Sequence, residues 1–134
     1  MWEKRALQMS IAIAALLPVS AGLWDITHGL SGSVGWADNH HRYLSGLLLA
    51  IGLGFWSAIP EIEAKAARIR LLTVLVVIGG LARLLGLALG DTATPLVVTA
   101  LVMELAVTPL LCLWQTRVIA GPDRLGTHLR QIAP

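Results

Sequence analysis

Charged residues are scarce in this sequence. Asp, Glu, Lys and Arg make up 13% of the 134 residues and hydrophobic residues 56%, whereas soluble domains carry about 25% charged residues. So few charged groups cannot cover a surface that faces water, and we expect lipid to surround much of the chain. The net charge of +2 comes from basic residues clustered between apolar runs, which indicates membrane topology and argues against a nucleic-acid partner.

Cysteine pairs and common catalytic motifs are also absent. The single cysteine, Cys112, can form no intrachain disulfide, and there is no Cys-x-x-Cys motif. The sequence has no Gly-rich phosphate loop, no Gly-x-Ser-x-Gly elbow and no His-Glu-x-x-His motif. His40, His41 and Asp38 lack a second His/Cys pair, and adjacent helical residues diverge by about 100°. We therefore predict no metal site, no haem and no common soluble-enzyme chemistry.

Four apolar stretches are long enough to cross a bilayer as helices, which requires roughly 17 to 25 residues each. They cover residues 7–24, 43–59, 71–89 and 96–114. We therefore predict an all-α fold, a four-helix transmembrane bundle that forms a single membrane domain over residues 1–134. The connecting segments are an outer loop at 25–42, a cytoplasmic loop at 60–70 and a cytoplasmic tail at 115–134.

The ends of these stretches carry helix-boundary residues. Asp38 and Asn39 can cap the second helix, Pro60 ends it, and Thr94 with Pro95 begins the fourth. The first stretch has an alternative interpretation, because a basic start and small residues at 19–22 also describe a cleavable signal peptide. Its apolar run continues past that point, which favours a true span.

Basic residues set the predicted orientation, because an excess of Lys and Arg in short loops marks the cytoplasmic side. Eight of the ten Lys and Arg residues fall on one side of the spans. Both termini and the 60–70 loop of this multi-pass membrane protein are therefore predicted to be cytoplasmic. The eight are Lys4, Arg5, Lys65, Arg68, Arg70, Arg117, Arg124 and Arg130.

Small residues recur at helical spacing within the spans, and close contact of small residues is one way that membrane helices associate. We predict that these stripes face the interior of the bundle, and that Pro18 and Pro109 kink their helices. The stripes are Gly46, Ala50 and Gly54 in the second span, Gly79, Arg83, Gly86 and Gly90 in the third, and Ala100, Glu104 and Thr108 in the fourth.

Arg83 and Glu104 lie inside apolar spans, where a charge costs roughly 2.5 to 3.5 kcal/mol even on the mildest scale. A short turn joins their helices, so an ion pair is expected, and it has two interpretations. The pair either only fixes helix register, or it belongs to an outward-facing ligand pocket. The other candidate ligand-binding residues, all expected at the same level, are Arg42, Asp38, His41 and Asp25.

Three blocks of the sequence resemble a known family. They are residues 38–46 (Asp-Asn-His-His-Arg-Tyr-Leu-Ser-Gly), residues 79–83 (Gly-Gly-Leu-Ala-Arg), and Glu104 followed by Pro109 and Trp114-Gln115. The resemblance is to small bacterial membrane proteins of domain-of-unknown-function family 4345, within the DoxX-like group. It implies a four-helix bundle that crosses the bacterial inner (cytoplasmic) membrane, and the DoxX-like name hints at quinone or redox surroundings by fold analogy only. The polar positions that it implies are Asp38, Arg42, Arg83 and Glu104.

These observations favour a binding or accessory protein over an enzyme. In this hypothesis a lipid-like or quinone-like small molecule occupies the polar pocket, and no cofactor is predicted. One alternative is a membrane-embedded isomerase or oxidoreductase partner that uses Glu104 or Asp38 as acid/base. Another is a small proton-coupled transporter, although an acid already paired with arginine is a poor proton carrier. Partners other than the bilayer would be subunits of a membrane complex or further copies of the chain.

Overall fold

The fold is all-helical over the part of the chain that the computed structural model describes, residues 2–30 and 35–119. The helices are α1 (Trp2–His28), α2 (Trp36–Ala58), α3 (Ala66–Ala88) and α4 (Pro95–Ile119). No strand occurs within these ranges, so the all-α prediction is confirmed there. Part of the predicted outer loop, residues 31–34, and the predicted tail beyond residue 119 lie outside the described residues.

Three of the four helices are long and apolar enough to cross a membrane, namely α1, α3 and α4. The second helix is long, but its first two turns carry the polar run 38–42, Asp-Asn-His-His-Arg. This run lowers its mean hydropathy, and α2 is not among the three.

The helix ends agree with the sequence at α4 and differ at α2. Thr94 caps α4 through a hydrogen bond in which its Oγ1 accepts from the Val97 N–H at 3.3 Å, and Pro95 begins the helix. The prediction that Asp38 or Asn39 caps α2 is wrong, because the helix already begins at Trp36. Gly35 precedes it with φ at +107°, a backbone conformation that glycine adopts without steric cost.

The buried core lies at one end of the molecule, here called the terminal end, which holds the start of α1, the 59–65 turn and the second half of α4. The opposite end, which holds the end of α1, the start of α2 and residues 89–94, is called the loop end. Hydrogen bonds tie the 59–65 turn to its neighbours: Gln8 of α1 donates to the Ile59 carbonyl and Gln115 of α4 to the Ile62 carbonyl, both at 2.7 Å. The core residues are Leu7, Ile11, Ala15, Phe55, Ala58, Ile62 and Ile69.

Close contact between α1 and α2 occurs at two glycines. A Cβ on Gly22 would lie 2.7 Å from the Ser45 carbonyl oxygen and 2.8 Å from the Leu49 nitrogen, both backbone atoms of α2. A Cβ on Gly52 would lie 2.6 Å from Cγ2 of Val19. Only glycine at these positions lets the two helices approach this closely.

The predicted small-residue stripe on α2 is therefore largely wrong. Gly46 has no atom near its missing Cβ, Ala50 is exposed, and only Gly54 meets a neighbour, the Leu72 side chain of α3. The glycine spacing predicted a face of α2 that does not contact α1. The face that contacts α1 is a neighbouring one and includes Ser45 and Gly52.

On the third helix, the glycine that contacts a neighbouring helix is one residue away from the predicted one. Gly80, and not the predicted Gly79, lies against α4, where a Cβ would come within 2.8 Å of Leu105 and 2.9 Å of the Glu104 Cβ. Gly79 is exposed and has nothing within 4 Å of its missing Cβ. The backbones of α3 and α4 therefore approach each other beside Glu104.

The fourth helix changes register before its proline. Residues Met103–Val107 form a π-helical turn, closed by the Thr108 N–H and the Thr108 hydroxyl, which both donate to the Met103 carbonyl. Pro109 has no N–H to donate and its ring clashes with an α-helical carbonyl four residues earlier, so a wider turn at this position relieves the conflict. Pro18, by contrast, lies within α1, which is a continuous α-helix from Trp2 to His28.

Candidate functional site

Arg83 and Glu104 form a two-point ion pair between α3 and α4. Arg83 donates from Nε to Oε2 and from Nη2 to Oε1 of Glu104, each at 3.2 Å. The Arg83 side chain is 41% exposed and the Glu104 side chain 17%. This geometry fixes the orientation of the planar guanidinium and uses both carboxylate oxygens.

The pair lies inside the apolar length of both helices. Arg83 is about 7 Å from the loop end of α3 and Glu104 about 13 Å from that of α4, at 1.5 Å per residue. Helical side chains lean toward the N-terminus of their own helix. Because α3 and α4 are antiparallel, Arg83 leans away from the loop end and Glu104 leans toward it, so they meet. Arg83 is thus drawn deeper and does not extend toward the loop end.

Part of the Arg83 guanidinium is left without a partner in the described chain. A guanidinium carries five N–H donors, and two of them point to Glu104. The remaining three have no acceptor within residues 2–30 and 35–119. The Arg83 side chain is 41% exposed, so these three donors are open to an acceptor outside the described chain.

We infer a groove between α2 and α3 from residues that are exposed on the facing sides of both helices, between the Gly54–Leu72 contact and this guanidinium. The two helices touch where Gly54 meets Leu72, and residues that continue the same faces toward the loop end are exposed. On α2, Leu47 lies two turns before Gly54 and is 46% exposed. On α3, the exposed Gly79 lies two turns after Leu72 and one turn before Arg83. We call this inferred groove the α2–α3 groove, and helical spacing places Leu47, Ala50, Gly79 and Arg83 along it.

Asp38 and Arg42 form a second polar group, which joins the end of α1 to the start of α2. Arg42 donates from Nε to Asp38 Oδ2 at 3.0 Å and from Nη1 to the Ile26 carbonyl. Asp38 Oδ1 accepts the Leu30 N–H at 2.8 Å. Arg42 thus binds a carbonyl in the last turn of α1, a position where backbone acceptors lack helical donors. We call these contacts the α1–α2 clamp.

The other predicted site residues pair locally. His41 Nε2 lies 3.6 Å from Asp25 Oδ2, and the His40 ring stacks on Trp36. In the described part of the chain, no hydrogen bond or ion pair links Arg83 and Glu104 to the α1–α2 clamp or to the Asp25–His41 pair. The six candidates thus form three separate pairs, and only Arg83 and Glu104 lie within the apolar length of their helices.

Sequence reasoning missed the polar contacts that hold the terminal end together. Besides the two glutamines, Trp56 donates from Nε1 to the Ala12 carbonyl at 3.1 Å, and Lys4 pairs with Glu63 at 2.9 Å. Gln8 and Gln115 could have been noticed as amides near the ends of apolar stretches. Their carbonyl partners could not, because these lie 51 and 53 residues away in sequence.

The α1–α2 clamp predicts a loss of stability in acid. The Leu30 N–H and then the Arg42 side chain, both bonded to the Asp38 carboxylate, lower its pKa below the ordinary value. A carboxyl whose pKa is lowered on folding stabilises the fold above its unfolded pKa of about 3.9, and this contribution disappears as pH falls through the lower folded value. We therefore expect the melting temperature in detergent to decrease when the pH is lowered below about 4.

Asp38→Asn is the control for this pH dependence. At pH 7 the variant should melt below the wild type, and the difference between the two should shrink as the solution is acidified. Lys4 similarly lowers the pKa of Glu63 by its hydrogen bond and charge, so only the difference between the proteins reports on Asp38. A difference that stays constant from pH 7 to pH 3 would contradict the role given to this carboxylate.

Comparison with known proteins identifies the family. The family model described as Domain of unknown function (DUF4345) matches residues 6–115. The chain belongs to this family. The matched region contains all three polar pairs and all four helices except their outermost residues. Searches of curated proteins and of solved structures find no match. No group of three or more His, Cys, Asp or Glu that could hold a metal ion occurs among the described residues.

Proposed function

We propose that the chain crosses a bacterial cytoplasmic membrane four times, with both ends in the cytoplasm. Three helices qualify as spans by length and hydropathy. The fourth span would be α2, which packs along α1 and falls short in hydropathy because it begins with the polar run. The test is labelling of single cysteines, in a Cys112→Ser background, with a membrane-impermeant maleimide on intact cells. Thr92→Cys should react and Ala64→Cys should not; the opposite pattern would invert the topology.

We propose that the protein binds an amphipathic, lipid-like or quinone-like small molecule at the α2–α3 groove. The observation that carries this proposal is the Arg83 guanidinium, which is held within the apolar length of α3 with three donors that the described chain does not satisfy. An oxygen of the ligand would accept from these donors, and its apolar part would lie between Leu47 and Gly79. The α1–α2 clamp would support the helices without touching the ligand.

Native mass spectrometry of protein purified from its own membrane in mild detergent tests this function. Wild type should carry a discrete additional mass that Arg83→Gln loses. Arg42→Gln is the matched control, because it removes the same charge from the α1–α2 clamp outside the groove, and it should keep the mass. If the wild type is empty in every lipid background while Arg83→Gln only melts at a lower temperature, the pair is structural and the binding role is wrong.

A second candidate is an accessory subunit of a membrane complex. The first part of α4, Pro95–Val102, has no buried residue, so this segment offers a helix face to another protein. Loss of a defined larger assembly on substitution within Pro95–Val102 would support it. Acid/base catalysis and proton-coupled transport have less support, because both Glu104 oxygens already accept from Arg83.

A further inference from the structure

We propose that the group bound at Arg83 is an uncharged oxygen acceptor, such as the carbonyl of a ketone, ester, amide or quinone, and not an anionic headgroup. This inference rests on the binding role proposed above. It follows from the net charge of the site and from the kind of polar atoms that remain available in it.

The net charge of the site is zero before any ligand binds. The +1 of Arg83 is matched by the −1 of Glu104 at two contacts of 3.2 Å. A carboxylate, phosphate or sulfonate at Arg83 would add a second negative charge next to Glu104, in surroundings of low dielectric constant where an uncompensated charge is costly. An uncharged carbonyl adds no such charge.

The available polar atoms are donors. Three guanidinium N–H groups of Arg83 remain open, whereas each Glu104 oxygen already accepts a hydrogen bond and the Glu104 side chain is only 17% exposed. The Glu104 oxygens keep further lone pairs, but because only 17% of this side chain is exposed, an ammonium or hydroxyl donor of a ligand has little access to them. A carbonyl oxygen, with two lone pairs, fits the open donors directly.

No second cation in the described contacts is placed to compensate an anion. Arg42, the other arginine near the loop end, is engaged by Asp38 and by the Ile26 carbonyl in the α1–α2 clamp. The remaining lysines and arginines of the described chain lie toward the terminal end, where Lys4 and Lys65 pair with Glu63 and Glu61. The charge balance at the groove is thus set by Arg83 and Glu104.

Two probes of equal chain length separate the alternatives: a long-chain methyl ketone and a long-chain alkyl sulfonate, titrated in a non-ionic detergent. Wild type should bind the ketone at least about tenfold more tightly than the sulfonate. Glu104→Gln leaves Arg83 unbalanced, so it should reverse the preference toward the sulfonate by a similar factor. The reversal is a readout that mere loss of structure cannot produce.

The outcomes of this titration are distinguishable. If wild type prefers the sulfonate, the ligand-class inference is overturned while the binding role stands. If wild type binds neither probe and also carries no native ligand mass, the binding role itself fails. If Glu104→Gln unfolds, the wild-type ratio of the two affinities alone decides the inference. The double variant Arg83→Gln, Glu104→Gln has neither charge of the pair and no guanidinium at position 83, so it should bind both probes weakly.

Discussion

Replacement of Gly22 by alanine should cause the largest loss of stability of any single added methyl group. Its Cβ would lie 2.7 and 2.8 Å from backbone atoms of Ser45 and Leu49. Backbone cannot rotate away as a side chain can, so α1 and α2 must separate. The expected cost is at the upper end of the 1–3 kcal/mol typical of overpacking, measured as a drop in melting temperature in detergent.

The matched control is Gly46→Ala in α2. Gly46 is helical and has nothing within 4 Å of its missing Cβ, so alanine there should be neutral or should stabilise the helix by up to about 1 kcal/mol. Equal losses for Gly22→Ala and Gly46→Ala would contradict the assignment of the α1–α2 contact face. Such a result would favour the originally predicted Gly46, Ala50 and Gly54 stripe.

Replacement of Gly79 by phenylalanine should abolish ligand binding without loss of stability. Gly79 lies one turn from Arg83 on the same side of α3, and it has open space around its missing Cβ. The ring would fill the α2–α3 groove while the helix gains a better helix former than glycine. We expect the bound mass to fall by at least about tenfold at an unchanged or higher melting temperature.

Leu85→Phe is the control for this blocking experiment. Residues two apart on a helix point about 200° away from each other, so Leu85 lies on the side of α3 opposite Arg83, and it is exposed. The same aromatic ring at this position should leave the bound mass unchanged. Loss of ligand in both variants would show that binding does not depend on the groove.

The helices and the central ion pair follow from the sequence because the underlying constraints are local. Runs of apolar residues of sufficient length form helices in lipid, and Pro60, Thr94 and Pro95 mark helix ends whatever surrounds them. Arg83 and Glu104 were predicted to pair because a short turn holds their helices side by side. Within the described residues the structure joins them as expected.

The faces by which the helices contact each other were not predictable in the same way. In a soluble bundle the polar side identifies the exposed face, but lipid is as apolar as a protein core, so hydrophobic patterning carries little information on packing. Helical spacing selected Gly79, yet Gly80 is the glycine that lies against α4. The choice depends on the crossing geometry of both helices.

The role of Arg42 also needed three-dimensional information. It was expected in the outward-facing pocket with Arg83 and Glu104, but its guanidinium reaches the Ile26 carbonyl at the end of α1. Helix C-termini leave carbonyls without donors, and the sequence does not say which side chain supplies them. Gly29, whose φ is +64°, allows the close approach of Asp38 and Arg42 at this point.

Photo-crosslinking from within the α2–α3 groove tests ligand binding there most directly. A p-benzoylphenylalanine in place of Leu47 reports on the groove, and one in place of Ile13 reports on bulk lipid, since Ile13 is exposed and lies two residues from the buried Ile11 and Ala15. We expect one discrete adduct mass at position 47, lost on Arg83→Gln, and mixed phospholipid adducts at position 13. Identical phospholipid adducts at both positions, unaffected by Arg83→Gln, would contradict ligand binding in the groove.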